Sequence, residues 1–312
     1  MQNDKINLIR ENIGRKLVGK AEAIDLVIAA LLCRGHVLIE DVPGTGKTTL
    51  AQTLAASLGC SFRRIQFTPD VMPTDVTGFS MLDTATGKFT FMPGVIFNQV
   101  ILADEINRTS PKTQSALLEA MQENQVTIDG TTYKVPAPFM VLATQNPIEY
   151  VGTYALPEAQ LDRFFVRVRL GYPSAADEVE ILERHDTKID SAPLNAVVEV
   201  EEVLELQRET DKIHISSALK HYITEIVSKT RNHKDVQLGI SPRGAIFLMY
   251  AAKSGAFIAG RKYATPDDVQ KMALPVLEHR LVLTPEARLR SVTAADVINE
   301  IIGATPLPEA GD

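Results

Sequence analysis

Hydrophobic and polar positions follow two periods along the first half of the chain. Short apolar runs rich in branched and aromatic residues predict β-strands at His36–Glu40, Phe62–Phe67, Val100–Ala103, Phe139–Ala143 and Phe164–Leu170. Between the first two runs, the leucines of Thr48–Leu58 have the spacing of a helix, and Gly59 is a stop signal. Strands that alternate with helices predict an α/β fold with a parallel sheet.

Two predicted β-hairpins interrupt this alternation. The first joins Phe79–Leu82 to Lys88–Met92. The second joins Val126–Ile128 to Thr132–Val135 through Asp129-Gly130, a dipeptide that strongly favours a two-residue hairpin turn. The hairpin signals alone leave two interpretations open: surface decoration, or loops that contact a partner or a substrate.

The second half of the chain, from Ser174 onward, has a helical pattern. Capping residues predict helix starts at Ser174, Ser241-Pro242, Thr265-Pro266 and Thr293. An aspartate three residues after Ser174, Thr265 and Thr293 resembles a capping box, with Asp in place of the usual Glu. We therefore predict two domains: an α/β domain over residues 1–172 and a smaller helical domain over residues 173–312.

Composition narrows the classes of function. The 312 residues carry a formal charge of −7, which argues against broad nucleic-acid binding because phosphate contacts require clustered Lys and Arg. The two cysteines, Cys33 and Cys60, lack the spacing of a disulfide framework or a zinc site. No apolar stretch is long enough to span a bilayer, and residues 1–10 lack the core of a signal peptide. We expect a cytoplasmic protein without membrane insertion.

The segment Val37–Thr49 combines an apolar strand, a glycine-rich loop and a helix start. Such a loop binds phosphate because glycines let N–H groups converge on anionic oxygens, while the helix N-terminus adds a positive dipole. Lys47 is expected to reach the β- and γ-phosphates, and the Thr48 hydroxyl to ligate Mg²⁺. The general pattern has glycine where this chain has Asp41, and a simple strand-to-helix connection is the alternative. The predicted nucleotide-binding residues are Asp41, Val42, Pro43, Gly44, Thr45, Gly46, Lys47, Thr48 and Thr49.

A buried strand ends in two acids within Val100–Glu105. In a P-loop protein, Asp104 would hold Mg²⁺ through water, and Glu105 would polarise the attacking water. A strand that ends in acids is common, so this signal is weak by itself. It gains weight from the phosphate loop upstream, which needs such a partner.

Three further side chains are candidates that depend on the nucleotide site. Asn146 follows the strand Phe139–Ala143 and could orient the lytic water or touch the γ-phosphate; an Asn-Pro turn is the alternative. Arg163 begins the next predicted strand, and its ordinary alternative is a surface salt bridge. Arg243, after a helix cap in the second domain, could reach across the cleft towards a γ-phosphate or be solvated.

The order of these residues resembles the MoxR family of AAA+ ATPases over nearly the whole chain. The segments that carry the resemblance are Val18-Gly19, Glu40–Thr48, Arg64–Asp70, Pro73–Gly78, Asp104–Arg108, Ala143–Pro147, Pro157–Phe164 and Ser241–Arg243. The RIQFTPD and LDRF sequences within them are more specific to the family than the phosphate loop. The resemblance implies a P-loop AAA+ parallel αβα sandwich with two inserted β-hairpins, followed by a smaller all-α lid domain.

The resemblance also assigns roles to residues. The matched positions are Lys47 and Thr48 in Walker A, Asp104 and Glu105 in Walker B, Asn146 as sensor 1, Arg163 as an arginine finger for a neighbouring subunit, and Arg243 as sensor 2. Whether Arg243 serves its own subunit or the next is left open. Arg108 is a weaker candidate for a contact across the subunit boundary. The implied catalytic residues are Glu105, Lys47, Asn146, Arg163 and Arg243, with Thr48 and Asp104 as metal ligands.

Ligands and partners follow from the same resemblance. It implies ATP and Mg²⁺ at the interfaces of a homo-oligomeric ring, commonly a hexamer, with a chaperone-like role in maturing or activating partner protein complexes. Proteins with von Willebrand factor A domains are among such partners. The alternatives are a nucleic-acid motor, a metal-chelatase subunit and a nucleotide-gated binding module with negligible turnover. The hairpins disfavour the first, because Lys88 and Lys134 are their only cations.

Overall fold

The computed structural model describes residues 2–85, 87–146, 153–187 and 194–308, so Pro147 of the predicted Asn-Pro turn lies outside the described residues. The strands are β1 Val37–Glu40, β2 Phe62–Gln66, β3 Gly78–Asp83, β4 Lys88–Pro93, β5 Val100–Asp104, β6 Gln125–Ile128, β7 Thr131–Lys134, β8 Met140–Gln145, β9 Val166–Val168, β10 Val236–Leu238 and β11 Val282–Leu283. The helices are α1 Gln2–Gly14, α2 Ala21–Leu32, α3 Lys47–Ser57, α4 Pro73–Thr77, α5 Pro111–Glu123, α6 Glu158–Leu161, α7 Ala175–Asp186, α8 Val200–Asp211, α9 Ser217–Arg231, α10 Pro242–Ile258, α11 Pro266–Leu277, α12 Pro285–Leu289 and α13 Ala294–Gly303.

Five strands form one parallel sheet in the order β2-β5-β8-β1-β9. All five strands predicted from the sequence are confirmed, although β9 is shorter than the predicted Phe164–Leu170. Neighbouring strands are not consecutive in the chain, so connections cross over the faces of the sheet. The carboxyl ends of β1, β5 and β8 meet at one edge, which is where open α/β sheets bind ligands.

Helices cover both faces of the sheet, which confirms the αβα arrangement. On one face, α3 packs Leu50 and Leu54 into a core that includes Leu102 of β5. On the other face, α5 packs Leu117 into a second core with Ile101. The first core continues into the helical lid, because α2 contacts both α8 and α10. The lid therefore packs directly onto the N-terminal helices.

The sequence did not draw attention to α1, yet this helix is amphipathic. Ile6, Ile9 and Ile13 are buried at helical spacing. On the same helix, Asn12 donates from Nδ2 to Ser57 Oγ of α3 at 2.9 Å. The buried face of α1 is thus part of the first core. None of the helices in the described ranges combines the length and the apolar character needed to cross a membrane.

Both predicted β-hairpins are confirmed, with β3 pairing antiparallel to β4 and β6 to β7. The second hairpin turns at Asp129 and Gly130, whose φ values are 49° and 78°, as a two-residue turn requires. Phe91 of the first hairpin stacks on Tyr133 of the second, with centroids 4.1 Å apart and planes at 17°. Phe97 packs edge-on against both rings. This aromatic cluster joins the two hairpins.

The lid is formed by α7–α13, and the predicted boundary between residues 172 and 173 falls between β9 and α7. The capping boxes predicted at Ser174, Thr265 and Thr293 are confirmed. The lid departs from the expected all-α composition in one place, where β10 pairs antiparallel with β11 through Val236 and Leu283. These strands have three and two residues, too few for a period of two to be recognised in the sequence.

Candidate active site

The phosphate loop connects β1 to α3 at the carboxyl edge of the sheet. Gly44 and Gly46 have φ values of 85° and 93°, a left-handed backbone that favours glycine. A Cβ on Gly46 would also lie 2.8 Å from Leu17 Cδ1. α3 begins at Lys47, directly after the loop, so its first N–H groups and the positive end of its dipole face the loop. The loop therefore has the geometry of an anion site.

A cavity of about 410 Å³ opens beside this loop. Nine of the predicted residues line it. Pro43, Gly44, Gly46 and Thr49 belong to the phosphate loop and the first turn of α3, and they are joined by Lys47, Thr48, Asp104, Glu105 and Asn146. The last five belong to the start of α3 and to the ends of β5 and β8, elements that are distant in the chain and that the strand order brings together. Because these chemically different groups converge on one cavity, it is the candidate site for a nucleotide.

Lys47 spans the phosphate loop. Its Nζ donates to the main-chain oxygen of Val42 at 2.7 Å and to that of Asp41 at 3.0 Å. Thr45 donates from Oγ1 to the same Val42 oxygen at 3.2 Å. These bonds hold the ammonium group over the loop, where the β- and γ-phosphates of a nucleotide would lie.

The two acids after β5 are oriented by Thr144 of β8. Asp104 is 8% exposed, and its Oδ1 accepts a hydrogen bond from Thr144 Oγ1 at 2.6 Å. The same hydroxyl oxygen accepts the Glu105 N–H at 2.8 Å. Glu105 has a φ of 56°, and such a left-handed conformation costs a non-glycine residue roughly 1–3 kcal/mol and clusters at functional sites. The end of one strand therefore presents two carboxylates in two fixed directions.

The sequence analysis missed two members of this site, Arg64 and Gln66 of β2. Arg64 donates to Asp104 Oδ2 from Nη2 at 2.6 Å and from Nε at 3.2 Å. Gln66 accepts from Arg64 Nη2 at 2.8 Å and donates from Nε2 to Glu105 Oε2 at 2.6 Å. A signal existed in the RIQFTPD segment, because the two polar side chains occupy alternate positions of a strand and so share one face.

Arg108 lies in the short turn Ile106–Arg108 that follows the two acids. Its Nε is 3.2 Å from Glu105 Oε2, and the side chain is 40% exposed. In this structure the guanidinium is therefore a counter-ion of Glu105 in its own chain. A contact of Arg108 across a subunit boundary stays a prediction.

The carboxylate of Asp41, one of the predicted nucleotide contacts, is bound to backbone N–H groups of the chain. Its carboxylate is buried and turned away from the cavity, with Oδ2 accepting the N–H groups of Leu170 at 2.7 Å and Gly171 at 2.6 Å. Oδ1 accepts the Val42 N–H at 2.8 Å, so this donor is also engaged. Neither Asp41 nor Val42 nor Thr45 lines the cavity. A buried carboxylate needs several donors, and Asp41 finds them where the chain leaves β9 for the lid.

Arg163 and Arg243 lie together in a different cavity, of about 270 Å³. His36 also lines it, at the start of β1, so this cavity opens at the amino edge of the sheet. Arg163 follows α6 and precedes β9 by three residues, so the prediction that it begins the strand was wrong. Arg243 Nη1 lies 4.0 Å from Asp162 Oδ2. Neither arginine lines the cavity that contains Lys47.

Burial determines the ionisation of two groups near this second cavity. His36 accepts the Val141 N–H on Nδ1 at 3.0 Å, so its Nε2 carries the proton and donates to Met121 O at 3.0 Å. Burial lowers the pKa of His36 to about 4 and keeps the ring neutral. Arg280 donates from Nε to Asp162 Oδ1 at 3.0 Å. Burial lowers the pKa of Arg280 to about 10, which leaves the guanidinium charged at neutral pH.

The donors in the first cavity suit Mg²⁺. The Thr48 hydroxyl and the Asp104 carboxylate are hard oxygen ligands, and Mg²⁺ usually takes one or two such groups together with water and phosphate oxygens. Across the part of the chain that the structure describes, no group of three or more His, Cys, Asp or Glu side chains could hold a metal ion. The Thr48 and Asp104 oxygens fit a Mg²⁺ ion whose remaining ligands are water and phosphate oxygens.

A phosphate loop after the first strand of this sheet, acids after a neighbouring strand and a helical lid are the features of the AAA class of P-loop ATPases. Comparison with family models agrees. The model described as "ATPase family associated with various cellular activities (AAA)" matches residues 36–166. The model described as "AAA lid domain" matches residues 228–301. The two matches fall on the α/β part and on the lid.

Individual relatives narrow the class to a family. The chain is 51% identical to the protein YeaC of Bacillus subtilis over 96% of this chain and 93% of that one. It is 40% identical to Chaperone MoxR1 of Mycobacterium tuberculosis over 95% of this chain and 81% of that one. A crystal structure of a protein from Cytophaga hutchinsonii, assigned as an ATPase, superposes with a TM-score of 0.92 at 38% identity, covering 99% and 96% of the two chains. The chain belongs to the MoxR family of AAA+ ATPases.

Proposed function

We propose that this protein hydrolyses ATP to ADP and phosphate with Mg²⁺. The observation that carries the proposal is the single cavity in which the Lys47 ammonium, the Thr48 hydroxyl, the Asp104 and Glu105 carboxylates and the Asn146 amide converge. Phosphoryl transfer needs little covalent chemistry from a protein. It needs positioning of the phosphates and stabilisation of charge in the transition state, and these side chains supply both.

Each side chain has a separate task in the proposed reaction. Lys47 and the N–H groups at the start of α3 bind the β- and γ-phosphates, and Asn146 orients the γ-phosphate or the attacking water. Thr48 and Asp104 would hold Mg²⁺, which neutralises phosphate charge when bound. Glu105 orients the water and accepts its proton. To do so, Glu105 must exchange its contacts with Gln66 and Arg108 for the water.

The positions of Arg163 and Arg243 support an oligomeric site. Both lie at the amino edge of the sheet, whereas Lys47 lies at the carboxyl edge. These positions favour a role of both arginines in the ATP site of a neighbouring subunit, and for Arg243 we propose the neighbour rather than its own subunit. A homo-oligomeric ring, with a hexamer as the expected size, provides such neighbours. An arginine supplied in trans is worth ~10³–10⁵ in rate, so an isolated chain should turn over slowly.

The test is ATP turnover as a function of protein concentration. Four samples are compared: wild type, Glu105→Gln, Arg163→Ala, and an equal mixture of the two variants. Each variant alone should be nearly inactive, because every interface lacks one essential group. The mixture should recover activity, because some interfaces pair an intact Glu105 with a neighbour's intact Arg163. The specific activity of the wild type should rise with concentration.

Three outcomes would contradict parts of the proposal. Full activity of Arg163→Ala, or a dilute monomer as active as the concentrated protein, would refute the assignment of Arg163 to a neighbouring subunit. Full activity of Glu105→Gln would refute the role of Glu105 and leave the oligomer unaffected.

The first hairpin supports the second part of the proposed function, a chaperone-like action on other proteins. Five of its apolar side chains are exposed: Phe79, Met81, Leu82, Phe89 and Met92. Exposed apolar groups at a loop indicate a protein contact, and methionine adapts to varied partners. The clients proposed are protein complexes that this ATPase matures or activates, with proteins that contain von Willebrand factor A domains among the candidates. The formal charge of −7 disfavours the alternative of a nucleic-acid motor.

The hairpin is tested with Phe89→Asp, since Phe89 is 73% exposed and its replacement leaves the core intact. The variant should keep its ATPase activity and lose the ability to suppress aggregation of an unfolding model protein. Leu289→Asp is the matched control, because Leu289 is 86% exposed at the end of α12 in the lid. Equal effects of the two substitutions would show that the hairpin has no special role.

A further inference from the structure

The metal side of the candidate ATP site already contains a cation from the chain. Arg64 reaches from β2 into the cavity and contacts Asp104 Oδ2 with two nitrogens, Nη2 at 2.6 Å and Nε at 3.2 Å. The other carboxylate oxygen, Oδ1, accepts from Thr144 Oγ1 at 2.6 Å. A carboxylate oxygen has two lone-pair positions, so Arg64 fills both acceptor positions of Oδ2.

The backbone fixes this arrangement. β2 and β5 are parallel neighbours, with Arg64 paired to Leu102 and Gln66 to Asp104. Arg64 and Gln66 therefore lie on the same face of β2. Gln66 Oε1 accepts a hydrogen bond from Arg64 Nη2 at 2.8 Å, which helps to hold the guanidinium in place. The neighbouring Arg63 is exposed on the opposite face of β2 and does not line the cavity.

We propose that Arg64 is a positioning residue that neutralises Asp104 before Mg²⁺ binds and thereby sets how strongly nucleotide binding depends on Mg²⁺. The inference rests on the proposed function, because it assigns Asp104 to the metal. A magnesium-bound water needs an acceptor position on Asp104, and Arg64 must withdraw from Oδ2 to free one. The Arg64 side chain is 46% exposed, so it can withdraw into solvent.

Two opposite effects follow from removing this charge. Without Arg64, Asp104 repels the phosphates of metal-free ATP, because no cation separates them. At the same time Mg²⁺ no longer has to displace a guanidinium, so binding of the magnesium complex is maintained or strengthened. The ratio of nucleotide affinity with Mg²⁺ to affinity without it should therefore increase. A partly exposed ion pair of this kind changes an equilibrium by about threefold to fivefold.

The experiment measures the affinity of a fluorescent, slowly hydrolysed ATP analogue in excess Mg²⁺ and again in EDTA. Arg64→Gln should raise the ratio of the two affinities by about threefold to fivefold, mainly by weakening binding in EDTA. Arg64→Lys keeps a charge without the two-nitrogen geometry and should give an intermediate ratio. Arg63→Gln is the matched control and should give the wild-type ratio. Thermal unfolding of each variant checks that it is folded.

Two results would overturn the inference while wild-type protein still binds and hydrolyses ATP. If Arg64→Gln weakens binding equally with Mg²⁺ and with EDTA, Arg64 is a phosphate ligand and not a substitute for the metal. If Arg64→Gln and Arg63→Gln give the same ratio, the ion pair has no influence on the metal. A wild-type protein that binds no analogue in either buffer would instead refute the proposed function itself.

Discussion

The two edges of the parallel sheet carry different groups of the residues proposed for ATP hydrolysis. The carboxyl edge has the phosphate loop, the acids and the metal donors, each held by contacts within the chain. The amino edge has Arg163 and Arg243 beside a buried scaffold that contains His36 and Arg280. In the proposed function, the carboxyl edge of one chain supplies the phosphate ligands, and its amino edge supplies Arg163 and Arg243 to a neighbouring chain. The difference between the two edges is therefore the structural argument for an active site shared by two copies.

Arg163→Ala is the strongest test of the proposed difference between the two edges. If the amino edge serves a neighbour's transition state, kcat should fall by ~10³ or more, while nucleotide affinity stays within about twofold, since ground-state binding uses the carboxyl edge. Steady-state kinetics and analogue titration on the same preparation separate the two. Arg208→Ala, an exposed position of α8, is the control that should change neither. A matching loss of affinity would place Arg163 in ground-state binding and contradict the division of tasks.

Lys47→Ala tests the carboxyl edge, where we expect a loss of nucleotide affinity as well as a loss of rate. The loss of a preorganised cation on the phosphates should lower kcat/KM by about 10²–10³, and here affinity should fall too, because Lys47 contacts the nucleotide before and during the reaction. Lys220→Ala on the exposed side of α9 is the control. Unchanged affinity in Lys47→Ala, measured by analogue titration, would remove the phosphate loop from the proposed site.

His36 at the amino edge should make the stability of the protein depend on pH. Its folded pKa of about 4 lies below the ordinary value of 6.5, so the unfolded chain binds a proton first as pH falls. The free energy of unfolding should therefore decrease mainly between pH 6.5 and pH 4, by about 3 kcal/mol in total, and it should change little at higher pH. Urea unfolding at several pH values measures it.

The control for this prediction uses another histidine. His36→Gln should flatten part of the pH dependence, whereas His185→Gln, at an exposed position of α7, should leave the wild-type slope. His279 adds a contribution of the same sign, because burial also lowers its pKa. A wild-type slope in His36→Gln would show that His36 does not cause the acid sensitivity, and it would contradict a lowered pKa of this ring in the folded chain.

The smallest effect is expected for Asp41. Its carboxylate accepts hydrogen bonds from the connection between β9 and the lid and so links the phosphate loop to that connection. Asp41→Asn replaces one acceptor oxygen by a donor that faces backbone N–H groups, so we expect a loss of about 1–2 kcal/mol in stability. Hydrogen exchange of the Leu170 and Gly171 amides should accelerate as well. Asp70→Asn, at an exposed position, should alter neither. Unchanged exchange at both amides would show that the carboxylate is not their anchor.

Local patterns accounted for most of the fold and for the centre of the site. The strands, the Asp129-Gly130 turn and the helix caps are specified within a few residues of chain, and so are Lys47 and Asp104. What escaped prediction depends on distant partners. In the sequence, Asp41 looks like an ordinary residue of the phosphate loop. Its carboxylate accepts the N–H group of Leu170, which is 129 residues away in the chain, so the contact cannot be read from the local sequence. Arg64 reaches Asp104 only because β2 lies beside β5. The sequences of these two strands do not show that they are neighbours in the sheet.

The aromatic cluster between the hairpins gives the molecule a mechanical property. The hairpin that carries Phe91 is attached through α4 to β2, and the hairpin that carries Tyr133 is attached to α5. β2 is bonded along the whole of β5, and α5 follows the turn after Glu105. The stacked rings join the two hairpins near their bases and leave both turns free of this contact. We therefore expect a displacement of one hairpin to be shared with the other and to be transmitted to the end of β5 through both β2 and α5.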